Sequence, residues 1–84
     1  MYAKTVKVSL PEGINALNAT KLVRAAVEYV SFIQIGKSGS FVAGKSLLGI
    51  IGLGIVCGDE ITISADGVDD EIAVETLASF LAPK

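Results

Sequence analysis

Lys45-Ser46-Leu47-Leu48-Gly49-Ile50-Ile51-Gly52-Leu53-Gly54 is the stretch on which the reading of this chain turns. It opens the most apolar run, Leu47 to Cys57, which is eleven residues long and holds three glycines. A membrane-spanning helix needs about 20 apolar residues, so the run is too short to cross a bilayer. Ser46 is a good N-cap residue placed directly before an apolar segment. The glycines keep that segment from extending far. The spacing predicts a short helix over about Leu47–Leu53.

On its N-terminal side, Ser40-Phe41-Val42-Ala43 reads as a strand, Lys37-Ser38-Gly39 as a turn and Phe32-Ile33-Gln34-Ile35 as the preceding strand of a hairpin. Such a pair is antiparallel. Further back, Ala19, Leu22, Val23, Ala26, Val27 and Val30 recur at helical spacing from Ala16 onward, with Lys21, Arg24 and Glu28 off that face. Val6, Val8 and Leu10 alternate with Lys7 and Ser9 as a half-buried strand, which Pro11-Glu12-Gly13 closes. On the C-terminal side, Cys57-Gly58-Asp59 is a turn and Glu60–Ala65 a fourth strand with Ile61 and Ile63 on one face. Asp69 or Asp70 caps a last helix, with Glu71 in its first turn. Ile72, Ala73, Val74, Leu77, Ala78, Phe80 and Leu81 supply its apolar side, and Pro83 cannot extend it.

The element order is β-α-β-β-α-β-α, an α+β chain whose 84 residues read as one domain over 1–84. Its strands can form one sheet with the helices on a single face, an open-faced sandwich. Periodicity leaves the strand order open.

The net charge of −2 gives no electrostatic footprint for nucleic acid. The charge is nevertheless uneven: residues 1–45 sum to +4 and residues 46–84 to −6. This either steers a partner to one end or reflects ordinary solvated positions. Cys57 is the one cysteine, so no intrachain disulfide or paired-cysteine chemistry exists. A lone cysteine reads as a small buried hydrophobe in a reducing compartment. Met1-Tyr2-Ala3-Lys4 runs directly into an alternating pattern with no signal-type apolar segment. The expected location is cytoplasmic.

The order of elements, the Lys45–Ile55 stretch and Gly58-Asp59-Glu60-Ile61-Thr62-Ile63-Ser64-Ala65-Asp66-Gly67 together resemble the HPr family of bacterial phosphocarriers. The resemblance covers nearly the whole chain. Lys45-Ser46-Leu47-Leu48-Gly49 is similar to the family's regulatory-serine segment. The resemblance implies an HPr-like four-stranded antiparallel sheet in the order 1-4-2-3.

The family's active-site pattern is Gly-[Ile/Leu]-His-Ala-Arg-Pro-Ala. This chain reads Gly13-Ile14-Asn15-Ala16-Leu17-Asn18-Ala19. Asn15 stands where the phosphorylated histidine belongs, Leu17 where the arginine belongs and Asn18 where the proline belongs. Imidazole offers a nucleophilic nitrogen near neutral pH, with a pKa of about 6.5. An amide nitrogen has its lone pair delocalised into the carbonyl. The chain contains no histidine at all, so no other position can substitute. Leu17 also removes a guanidinium that would hold phosphate bidentately. A phosphohistidine relay, histidine-assisted nucleophilic catalysis and histidine-bound metal all go with that count. No catalytic residue set, metal or cofactor is expected, and the reading is non-enzymatic.

Either Asn15 or Asn18 simply caps the first helix, or Asn15 helps hold an anion at its N-terminus, and the high N-cap preference of Asn favours the cap. Ser46 is either a plain N-cap or, as the resemblance implies, a serine phosphorylated by a kinase/phosphorylase. Leu17, Thr20, Lys21 and Arg24 on the first helix, with Leu47, Leu48 and Ile51 on the second, form a candidate partner-binding surface. The competing reading puts some of them in the core.

The chain resembles most closely in logic the Crh branch of the family, which lacks the active-site histidine and keeps the serine. That implies a regulatory protein of bacterial carbon metabolism and the sugar phosphotransferase system. Its implied partners are an HPr kinase/phosphorylase-type enzyme and a transcriptional regulator or metabolic enzyme. Leu17 departs from that branch, whose arginine contacts partners. The alternative is a diverged phosphocarrier paralogue that docks a sugar-transport enzyme as scaffold or inhibitor without accepting phosphate. A third reading is a homodimer formed by exchange of the first strand. Neither a membrane nor direct nucleic-acid binding is implied.

Overall fold

The computed structural model describes residues 1–83. Its elements are β1 (Tyr2–Lys7), α1 (Ala16–Ala26), β2 (Phe32–Lys37), β3 (Ser40–Ala43), α2 (Leu47–Gly52), β4 (Glu60–Asp66) and α3 (Asp70–Leu81). The four strands form one sheet in the order β1-β4-β2-β3 with every pair antiparallel. This is the sheet that the resemblance implied. No helix is long and apolar enough to cross a membrane among the described residues.

The register explains the open face. Val6 lies opposite Ile61, and Ile63 lies between Lys4 and Ile35 on its two neighbours. Directly opposed residues share a face. Ile61, Ile63, Ala65, Ile33 and Ile35 are therefore turned together toward the helices, where all five are buried. Glu60, Thr62, Ser64 and Asp66 alternate to the other side, with Phe32, Gln34 and Phe41 beside them. Leu22, Ala26, Ile50, Val74, Leu77 and Leu81 close the core from the helix layer. α3 packs on β1 and β4, α1 on α2 and α3, and α2 on β3. The β2–β3 turn has positive φ at both Ser38 (52°) and Gly39 (84°), the signature of a tight type I′ hairpin.

Five expectations need correction. β1 begins at Tyr2 and ends at Lys7, so Val8 and Leu10 lie beyond it. Val8 is still buried and exchanges backbone hydrogen bonds with the turn before β4: its N–H donates to Asp59 O, and its carbonyl accepts from Gly58 N. The reason is that the alternation continues while its partner changes from strand to turn.

α1 stops at Ala26, and Val27 and Val30 are exposed and not on the buried face. Two distant residues take over the backbone there. The Asp69 carboxylate accepts from the N–H groups of Val30 (2.9 Å) and Ser31 (3.0 Å) and from the Ser31 hydroxyl. The Lys45 ammonium donates to Tyr29 O at 2.7 Å. The third correction follows from the same contact. Asp69 occupies the N-cap position of α3, but its side chain makes no capping bond because it is spent on the start of β2.

Ile72 is exposed, since α3 buries Ala73, Val74, Leu77, Ala78 and Leu81 and turns Ile72 away. Cys57 is exposed as well. It sits in the turn that precedes β4, and Ile55 is the residue of that segment that enters the core.

Candidate functional site at the starts of helices α1 and α2

The loop into α1 is set by a glycine that has no room for a side chain. Gly13 has φ +62° and lies against the Ile55–Val56 backbone. Its N–H donates to Leu10 O, and the next N–H, of Ile14, donates to Ile55 O at 3.0 Å. The 54–59 segment thus forms the floor on which residues 13–15 rest. Lys37 anchors that floor: its ammonium donates to Gly54 O at 2.7 Å and meets Asp59 Oδ2 at 2.8 Å. Asp59 Oδ2 also accepts the Val56 N–H at 2.8 Å. These contacts hold the Asp59 carboxyl below its ordinary value, the Lys37 hydrogen bond contributing most.

Asn15 is the N-cap of α1, with extended backbone and its side-chain Oδ1 accepting the Asn18 N–H at 2.8 Å. Its carbonyl accepts from Ala19 N at 2.8 Å. The Asn18 side chain reaches back and donates to Gly13 O at 2.9 Å. Position 15 is therefore a working helix cap, as its residue type favours. Asn18 reads in sequence as a missing proline and as a rival cap; the structure gives the cap to Asn15, and that Asn18 bonds both Asn15 and Gly13 is visible in the fold alone. The same is true of Lys37 and Asp59, which read as turn residues in sequence and act as a clamp across 22 positions.

Ser46 is the N-cap of α2, with its hydroxyl oxygen accepting the Gly49 N–H at 3.2 Å. Gly49 lies close to the Ser46 side chain and to Val42, so the first turn of α2 is tightly seated. α2 inserts one side chain into the core, Ile50. Leu47, Leu48 and Ile51 are exposed, Leu48 to 82%. Leu17 on the neighbouring α1 is 62% exposed. None of these four belongs to the core.

Thr20, Lys21 and Arg24 are exposed too. The Thr20 hydroxyl donates to Ala16 O within its own helix at 3.0 Å. Lys21 and Arg24 form no ion pair among the described residues. The surface over α1 and α2 thus carries four exposed aliphatic side chains and two free cations, on two helices that touch. Among the described residues, no cluster of acids and thiols is arranged to hold a metal ion.

The family model described as "PTS HPr component phosphorylation site" matches residues 2–82 of this chain. Phosphocarrier protein HPr of Buchnera aphidicola subsp. Baizongia pistaciae is 40% identical over 81 residues, spanning 96% of this chain and 95% of the relative. HPr-like protein Crh of Halalkalibacterium halodurans is 37% identical over 81 residues, with 96% of each covered. The crystal structure of a phosphocarrier protein HPr from Bacillus anthracis superposes with a TM-score of 0.93 at 40% identity, covering 95% of both chains.

Proposed function

This chain belongs to the HPr family, and from that premise we propose that it is a regulatory member that accepts no phosphoryl group at position 15 and is controlled by phosphorylation at Ser46. The family supports a role in the phosphotransferase system or in carbon catabolite regulation. The observation that carries the finer reading is the pairing of two facts. Position 15 is an asparagine used as a cap in a chain without histidine. The other helix start keeps a capping serine beside exposed Leu47 and Leu48.

A phosphate on Ser46 adds about −1.5 to −2 charges and three strong acceptors at the edge of an apolar surface. The Gly49 N–H that now meets the hydroxyl is already directed at that position. The modification changes what the surface can bind and leaves Ile50, the anchor of α2, in place. An HPr kinase/phosphorylase-type enzyme writes the mark. A transcriptional regulator or metabolic enzyme reads it through Leu17, Thr20, Lys21, Arg24, Leu47, Leu48 and Ile51. The protein acts by binding, as a single cytoplasmic domain, and not as an enzyme.

One observation favours the second reading, a scaffold or inhibitor that docks a sugar-transport enzyme. Leu17 extends the exposed aliphatic surface where the family pattern has a cation, so binding through apolar contact needs no phosphate. The two readings separate in one experiment. The chain and Ser46→Ala are incubated with ATP and an HPr kinase/phosphorylase, and with phosphoenolpyruvate and the general transport enzyme. Mass gained with ATP and absent in Ser46→Ala supports regulation. No gain in either arm leaves docking alone, and gain from phosphoenolpyruvate refutes both.

A further inference from the structure

The Asn15–Asn18 contact has a chemical consequence beyond capping. The Asn18 N–H is aimed at the atom that residue 15 carries directly on Cγ, here Oδ1, at 2.8 Å. The Nδ1 of an imidazole is bonded to the same Cγ. In the same rotamer it takes the same place and receives the same N–H. A nitrogen whose lone pair accepts a hydrogen bond has none to offer phosphorus. Proline has no N–H to donate and is tolerated in a first helical turn.

We propose that Asn18 is a second determinant of the lost acceptor chemistry: its backbone N–H engages residue 15 and closes the nitrogen nearest the helix even when a histidine is present there. Asn18 is a positioning residue in this role, since it acts through residue 15. Its side chain reinforces the arrangement by fastening Gly13 O at 2.9 Å. The proposal rests on the absence of a carrier in the reading above. It does not involve Ser46, so either can fail alone.

The chain is well suited to the test, because it contains no histidine and any phosphohistidine formed lies at position 15. Asn15→His is compared with Asn15→His/Asn18→Ala, which keeps the N–H, and with Asn15→His/Asn18→Pro, which removes it. Each is treated with phosphoramidate. In that reaction the imidazole nitrogen forms a bond to phosphorus, the P–N bond of the reagent breaks, and nitrogen leaves as ammonia with the imidazole proton. The phosphate gained is followed over time by its mass.

While Nδ1 accepts the Asn18 N–H, its lone pair is engaged and Nε2 carries the ring proton, so the first two variants should gain phosphate slowly. The proline variant should gain phosphate at least about fivefold faster, the factor that corresponds to one hydrogen bond of about 1 kcal/mol. Equal rates in all three overturn the proposal. Asn15→His alone provides a second reading that does not depend on the proline variant folding. A scalar coupling across the bond from Asn18 N to the imidazole Nδ1 should be present, and its absence also overturns the proposal.

Discussion

Gly13 holds φ +62° with its Cα turned onto the Ile55–Val56 backbone, so that an added Cβ would stand 2.6 Å from Ile55 O and 2.7 Å from Val56 Cα. Both neighbours are main chain and cannot rotate away. The left-handed conformation adds its own strain for any residue with a Cβ. Gly13→Ala should therefore lower stability by about 2–5 kcal/mol, the sum of about 1–2 for the left-handed backbone and about 1–3 for an overpacked contact. Gly54 has a similar φ of +64° but open space where a Cβ would go. Gly54→Ala should cost only the conformational part, about 1–2 kcal/mol. Urea unfolding of the two variants checks this, and equal losses would show that the approach to Ile55 is not what fixes residue 13.

The contact of Asp69 with the start of β2 predicts a dependence on acid. The Ser31 hydroxyl, then the Val30 N–H, hold the Asp69 carboxyl below its ordinary 3.8. A carboxyl lowered in the folded state contributes stability that is complete above the unfolded value and is lost as pH falls through the folded one. Asp59, lowered first by Lys37, and Glu75, lowered first by Tyr2 and then by Lys4, act in the same direction from 3.8 and 4.5. The urea midpoint should decline as pH drops below about 4.5 and continue to fall below 3.8. Asp69→Asn should be less stable near neutrality and show a shallower acid decline. An unchanged acid slope would remove Asp69 from this account. Tyr2 has the opposite sign: its hydrogen bond to Glu75 raises the phenol above 10.0, so its contribution is present below that pH and lost as pH rises through the folded value.

The same contact shows where a sequence reading stops. Ser38-Gly39 and the Ile61–Ile63 alternation are local signals, and they produced a hairpin and a buried strand where expected. Asn15 and Ser46 were legible as caps because capping needs only the residue and the three that follow. Val27 and Val30 continue a helical period, and nothing nearby ends it. What ends it is Asp69, 39 residues from Val30, and Lys45, 16 residues from Tyr29. Contacts across such separations leave no periodicity. The clamp of Lys37 on Asp59 was missed for the same reason, whereas the reach of Asn18 to Gly13 spans only five positions and was missed because a side chain bonding back past the cap adds nothing to the period. The family resemblance supplied the strand order that periodicity left open, because β1 and β4 pair across most of the chain.

Cys57 should behave as a surface thiol. It lies exposed in the turn before β4 and forms no disulfide. A thiol-reactive chromogenic disulfide should titrate one thiol per chain in the native protein, without denaturant. Reaction that appears only in urea would return Cys57 to the core.

Ile50 and Leu48 are two positions apart on α2 and face opposite environments: Ile50 is fully buried, whereas Leu48 is 82% exposed. Removing a buried isoleucine down to Ala loses its transfer free energy and leaves a cavity, about 2–5 kcal/mol in similar cases. A surface change away from caps and networks stays within about 0.5 kcal/mol. Ile50→Ala should therefore shift the urea midpoint strongly and Leu48→Ala hardly at all. The contrast matters for function. If Leu48 belongs to the surface that a partner reads, Leu48→Ala should weaken capture of that partner while the unfolding curve stays in place. Ile50→Ala should weaken it only as far as the fold is lost, so dividing binding by folded fraction restores Ile50→Ala and not Leu48→Ala. A Leu48→Ala variant that binds as the parent does would place the partner surface elsewhere than on α2.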